Sequence, residues 1–123
     1  MSVRMYDDIV SSTNRAVQIF NILIGLAYNR QTITYKKLAE IMNFDGAGVF
    51  SHPLDHILHW CKDSKLPSLT VLVVNSKSGL PGSGFSTHED LHAQREKVYA
   101  ENWYRIIPPT MDELNAAYQK RKT

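Results

Sequence analysis

Between Ser51 and Val74 the chain carries an apolar pattern that few small folds can satisfy. Leu54, Ile57, Leu58 and Cys61 fall at i, i+3, i+4 and i+7, which is one tight stripe along a helix. Ser51 is placed to cap that helix, and Pro53 is tolerated in its first turn, where a backbone N–H has no intrahelical partner. Leu66-Pro67 stops it. Leu69-Thr70-Val71-Leu72-Val73-Val74 then follows as a nearly continuous apolar strand, of the kind buried on both faces. A stripe on one side and a strand needing cover on two must be packed by flanking elements.

Upstream, Ser11-Ser12-Thr13 forms an N-cap region, and Ala16, Ile19, Phe20, Leu23, Leu26 and Ala27 recur at helical spacing. They predict a first helix from about Asn14 to Tyr28. Thr32-Ile33-Thr34 is a short β-branched alternation, and Tyr35 to Met42 makes a second helix with Leu38, Ala39 and Met42 inward. Asn43 to Gly48 is rich in residues that tolerate positive φ. Downstream, Asn75 to Gly79 is turn chemistry, and Leu80 to Phe85 reads as an irregular return strand that Pro81 confines to an edge. Its glycines, Gly79, Gly82 and Gly84, fit a turn needing positive φ better than a phosphate loop. A fourth helix is expected from about His88 to Asn102, capped by Thr87, with Leu91, Arg95, Val98 and Tyr99 inward. Thr110-x-x-Glu113 is a capping box opening a last helix that carries Leu114, Ala117 and Tyr118.

The first seven elements follow the order of a winged helix-turn-helix. The expected class is α+β: a winged-helix core over about 14–85 and two extra C-terminal helices over about 87–121, within one domain of 123 residues. A net charge of +2 permits a nucleic-acid partner but falls short of the strongly basic footprint of a dedicated binder. The single cysteine rules out an intramolecular disulfide and fits a reducing compartment, and Met1 to Asp8 is not a secretory signal. The longest apolar stretch, Ile19 to Tyr28, is about half a membrane span. A soluble cytoplasmic protein is the expectation.

The segment Thr32-Ile33-Thr34-Tyr35-Lys36-Lys37-Leu38-Ala39-Glu40-Ile41 resembles the T-[IV]-[ST]-Y-x-x-[IL]-A opening of the winged-helix domain of O6-alkylguanine-DNA alkyltransferases and their alkyltransferase-like relatives. The likeness runs from about Ala16 through the third helix and Val73-Val74 to Gly79-Leu80-Pro81-Gly82-Ser83-Gly84-Phe85. It implies the winged-helix fold and engagement of nucleic acid. In that family a Pro-Cys-His-Arg motif precedes the Val-Val pair; here those positions are Leu69, Thr70, Val71 and Leu72. Thr70 stands where the alkyl-accepting cysteine would be, and a hydroxyl lacks the soft ionisable sulfur that alkyl transfer needs. The family's arginine finger has no counterpart between Gly48 and Lys62, so the resemblance argues against repair chemistry.

Projected at about 100° per residue, His52, His56, His59 and Asp63 lie opposite the core stripe of the third helix. With Ser51, Trp60 and Lys62 they form a candidate face for the major groove. Asp55 and Asp63 would repel phosphate there, and a solvated or protein-docking face is the competing reading. Tyr35, Lys36 and Lys37 at the start of the second helix, and Lys77 at the wing tip, are placed to position a phosphate backbone. No carboxylate or thiolate completes a histidine metal site, so neither metal nor cofactor is expected. His88-Glu89-Asp90-Leu91-His92 matches the H-E-x-x-H zinc-hydrolase pattern but lacks a third ligand, and its acids are explained by the dipole of a helix start. Cys61 lies on the core stripe as an inert thiol, and Trp60 and Trp103 are packing anchors, with Trp60 partly exposed.

These readings give a non-enzymatic protein that binds double-stranded DNA with modest affinity. The C-terminal helices are candidates for a protein partner or homodimer contact. The alternative is a protein-interaction module on the same scaffold, and the third is a zinc hydrolase. A positive stripe continuous from Lys36 through the third helix to Lys77 would favour the first; an apolar patch outside the core would favour the second.

Overall fold

The computed structural model describes residues 12–43, 51–77 and 91–120. Its elements run α1 (Ser12–Tyr28), β1 (Ile33–Thr34), α2 (Tyr35–Met42), α3 (Ser51–Asp63), a 3-10 helix (Leu69–Leu72), β2 (Val73–Val74), α4 (Leu91–Ala100), a second 3-10 helix (Trp103–Arg105) and α5 (Met111–Lys120). The class is α+β: the described residues are mostly helical, with one two-stranded sheet among them. The return strand expected over Leu80 to Phe85 lies outside the described residues, as do the Asn75-to-Gly79 turn beyond Lys77 and the cap at Thr87.

Local chemistry accounts for where the helices start and stop. Thr34 caps α2, its hydroxyl accepting from the Lys37 N–H at 3.1 Å. The expected capping box forms at α5: the Glu113 N–H donates to Thr110 Oγ1 at 3.1 Å, and the Thr110 N–H donates to Glu113 Oε1 at 3.0 Å. α1 and α3 end alike. The Gln31 N–H reaches the Leu26 carbonyl at 2.9 Å and the Arg30 N–H reaches Ala27 at 3.1 Å; Leu66 reaches Cys61 at 2.9 Å and Lys65 reaches Lys62 at 3.2 Å. Both pairs are Schellman closures, and both place a residue with a side chain in the left-handed region, Arg30 at φ 57° and Lys65 at φ 59°. Asn43, at φ 57°, closes α2 in the same conformation.

The core lies where α1 packs on α3, α5 and the 3-10 helix at Leu69. Ala16, Ile19, Leu23 and Ala27 on α1, Leu38 on α2, Ile57 and Cys61 on α3, and Leu114 on α5 are all fully enclosed. Phe20 joins the tryptophans, meeting Trp60 edge-to-face at 5.5 Å and Trp103 at 6.4 Å. Trp60 is therefore a core anchor and not the partly exposed ring expected. Trp103 satisfies its indole N–H on the Val98 carbonyl at 2.8 Å. Leu58, expected in the core stripe, is half-buried.

The apolar run Leu69 to Val74 departs from the sequence expectation. Its first four residues wind into a 3-10 helix, and only Val73 and Val74 are strand. All six are buried. A run that is apolar on every side suits a buried helical turn as well as a buried strand, so period alone does not discriminate. The strand that remains pairs with β1 in parallel, Ile33 opposite Val73 and Thr34 opposite Val74. A parallel pair requires a long crossover, supplied here by α2, α3 and the 3-10 helix.

Candidate nucleic-acid interface

The parallel register determines from which end of the sheet the lysine-bearing segments leave. Thr34 and Val74 are partners, so the chain leaves both strands at the same end of the sheet. From β1 it enters α2 through Tyr35, Lys36 and Lys37; from β2 it enters the turn Asn75-Ser76-Lys77. Lys36, Lys37 and Lys77 are exposed, and Tyr35 is half-buried against the core. Lys37 also lies 3.7 Å from Glu40 one turn on, a solvated pair of little energetic weight. The turn is ordered by Asn75, whose side-chain oxygen accepts from the Lys77 N–H at 2.9 Å. Three exposed lysines carried by segments that leave the same sheet end, two of them in the first turn of a capped helix, are chemically suited to phosphate oxygens.

The histidine face is corrected. His52, His56 and His59 do not share a solvent face, because α5 lies across that side of α3. His56 is only 3% exposed. Its ring stacks on Tyr118 of α5, with centroids 4.0 Å apart and planes within 1°. Its Nδ1 lies 2.6 Å from the His52 carbonyl, which only accepts, so Nδ1 carries the proton and donates. Nε2 faces the Thr13 hydroxyl of α1 at 3.1 Å. His52 is exposed, yet its Nδ1 is 2.7 Å from the Tyr118 hydroxyl. The two histidines thus tie α3 to α1 and α5. The sequence projection missed this because helical periodicity says which side chains share a face, while imidazole is at home on a polar or a buried one. Of the groove-facing set, His59 is half-buried and Lys62 exposed; Trp60 is buried, and the Ser51 side chain lies outside the described residues. No positive stripe runs unbroken through α3.

Thr70, at the position of the cysteine in the family resembled, is 5% exposed, with its hydroxyl 3.1 Å from that of Ser68. Cys61 is enclosed, and burial pushes its thiol up to about 11, against a weaker opposing hydrogen bond from the Leu69 backbone. A thiol held protonated is a poor nucleophile. His88 and Glu89 of the H-E-x-x-H segment lie outside the described residues, and His92 is exposed on α4. Among the described residues no group of three His, Cys, Asp or Glu side chains is arranged to hold a metal ion, and no helix is long and apolar enough to cross a membrane.

One surface feature was not singled out from the sequence. Tyr28 at the end of α1 and Tyr104 on the second 3-10 helix are 76% and 62% exposed, and their rings meet edge-to-face at 5.8 Å. Nearby in sequence, Arg30 donates twice to Glu96, both at 2.7 Å, and its guanidinium lies 4.9 Å from the centre of the Tyr99 ring. This pairing holds the Glu96 carboxyl below its usual range. The available sequence signal was the helical projection of α1, which sets Tyr28 to one side of the Ala16–Ala27 stripe; nothing local signalled that Tyr104 would join it.

No family model matches the chain, and neither does any curated protein or solved structure.

Proposed function

We propose that the chain is a non-catalytic nucleic-acid-binding domain on a winged-helix-like scaffold, holding double-stranded DNA by its phosphate backbone. The observation that carries the reading is the parallel register Thr34–Val74, which brings Lys36 and Lys37 to the same sheet end as Lys77. Tyr35, half-buried against the core, anchors the start of α2, and Lys62 and His59 on α3 are secondary contacts. A handful of cations and a net charge of +2 correspond to non-specific affinity in the range of about 1 to 100 µM, falling with salt. The resemblance of Thr32 to Ile41 to the alkyltransferase-like winged helix supports the same reading. Burial of Thr70 and the protonated Cys61 support a binding role over alkyl transfer.

The test is fluorescence anisotropy of a short labelled duplex across a salt series. The variant Lys36→Ala/Lys37→Ala/Lys77→Ala is expected to lower the slope of log K against log salt by about 3, roughly one per lost phosphate contact. An unchanged slope, or no duplex binding at tens of micromolar protein in low salt, overturns the proposal. A second reading, a protein-interaction module, draws on Ile107 and Met111, which are 86% and 43% exposed just before and at the start of α5. It requires every nucleic-acid probe to fail.

A further inference from the structure

We infer that Tyr28 and Tyr104 form a stacking platform for unpaired nucleic-acid bases, with Arg105 as its phosphate contact; this rests on the nucleic-acid reading above. Both rings stand outside the core, and their exposures of 76% and 62% are far above those of Trp60 and Trp103. Core packing therefore does not account for them. They come from segments remote in sequence yet meet with centroids 5.8 Å apart and planes at 74°. In that edge-to-face geometry one ring receives the other's edge and the partner keeps its faces open. Tyr104 is seated over α1 at Gly25, where an added Cβ would lie 3.7 Å from its hydroxyl. The platform is thus positioned before any ligand arrives, which lowers the entropy lost on stacking.

The charges nearby in sequence favour a phosphate-bearing ligand. Arg105, next to Tyr104, is exposed and has no acidic partner among the described residues. Of the acids along the chain on either side, Glu96 is engaged by Arg30, Glu101 accepts from the Asn102 N–H at 3.1 Å and Glu113 from the Thr110 N–H at 3.0 Å, while Asp112 lies in the first turn of α5. Arg30 thus offsets the charge of the Glu96 carboxylate. The exposed residues flanking the two rings along the chain are polar, Asn29, Arg30, Gln31, Asn102 and Arg105, and the apolar Ile107 and Pro108 follow only beyond Arg105. A protein hot spot wants an apolar surround from which water is driven out, whereas a base needs only an aromatic face and a cation within reach of its phosphate.

The experiment measures anisotropy of a labelled oligo-dT strand and of a short duplex with the full chain. Tyr28→Ala and Tyr104→Ala are each expected to weaken oligo-dT binding about fivefold or more, while Tyr→Phe at either site retains it. Duplex affinity, carried by Lys36, Lys37 and Lys77, stays within about twofold of the parent in the same variants. Both rings are exposed, so the variants are expected to melt near the parent temperature. If Tyr104→Ala loosens the α1 contact, Tyr28→Ala alone decides. Duplex binding with oligo-dT affinity unmoved by Tyr→Ala, or with no oligo-dT binding by the parent, overturns the platform and leaves the duplex reading intact. Failure of both probes overturns both.

Discussion

Replacing Tyr118 tests the seam that removes His56 from the surface. The ring is 9% exposed, stacked at 4.0 Å on His56 and edge-on to His52 at 6.1 Å. Its hydroxyl meets His52 Nδ1 at 2.7 Å. Truncating a buried aromatic to alanine costs about 3–5 kcal/mol, and a site at the margin of the core belongs near the low end, about 3 kcal/mol. Tyr118→Phe keeps the stack and loses one hydrogen bond to a solvent-reachable imidazole, worth about 0.5–1 kcal/mol. For a chain of this length the alanine variant corresponds to a melting temperature lowered by about 10–15 °C, the phenylalanine variant by a few degrees. Urea unfolding of both, with His56→Ala and the double variant, gives the coupling between the rings. About 0.5–1.5 kcal/mol is expected from a stacked, hydrogen-bonded pair. If Tyr118→Ala costs under about 1 kcal/mol, or the pair is additive, α5 does not clamp α3 and the histidine face returns as a contact surface.

Lys65→Gly is expected to stabilise by about 0.5–1 kcal/mol in urea unfolding, because Lys65 closes α3 at φ 59° and glycine carries no Cβ penalty there. A loss of stability would show that the lysine side chain has a role beyond the closure. Gly25→Ala in α1 is expected to raise stability by about 0.5–1 kcal/mol through helix propensity, since the new Cβ meets the Tyr104 hydroxyl at an ordinary 3.7 Å. A drop of the melting temperature would mean that Tyr104 sits closer to α1 than described. Cys61 titrates only near 11 when folded, against an ordinary value of 9.0. The folded-state value is the raised one, so this stabilisation is full below about pH 9 and is lost as pH rises towards 11. The loss is about 2–3 kcal/mol by linkage. A melting-temperature profile of Cys61→Ala should fall less steeply over that window than the parent; parallel profiles would refute the burial argument.

Short-range chemistry controls the features that were legible in the sequence. The Thr110–Glu113 box and the inward residues of α1, α2 and α5 follow from hydroxyl placement and period alone, because a cap and a stripe are completed within one or two turns. So did the core stripe of α3, except that Leu58 sits at its margin. The extension of the buried face of α3 to His56 and Trp60 became visible only in the fold. A helix touched by both α1 and α5 buries one broad arc, and imidazole hydrogen-bonded at both nitrogens is as acceptable inside as out. The tertiary structure alone chose a 3-10 turn over strand for Leu69 to Leu72 and parallel pairing for Val73-Val74. Both depend on what α1, α3 and β1 present across the core. The exit of the Lys36-Lys37 and Lys77 segments from one sheet end, and the meeting of Tyr28 with Tyr104, came from the same source. Residues some 40 and 76 positions apart in the sequence carry no local record of each other, and only the burial of the apolar surface between them brings them together.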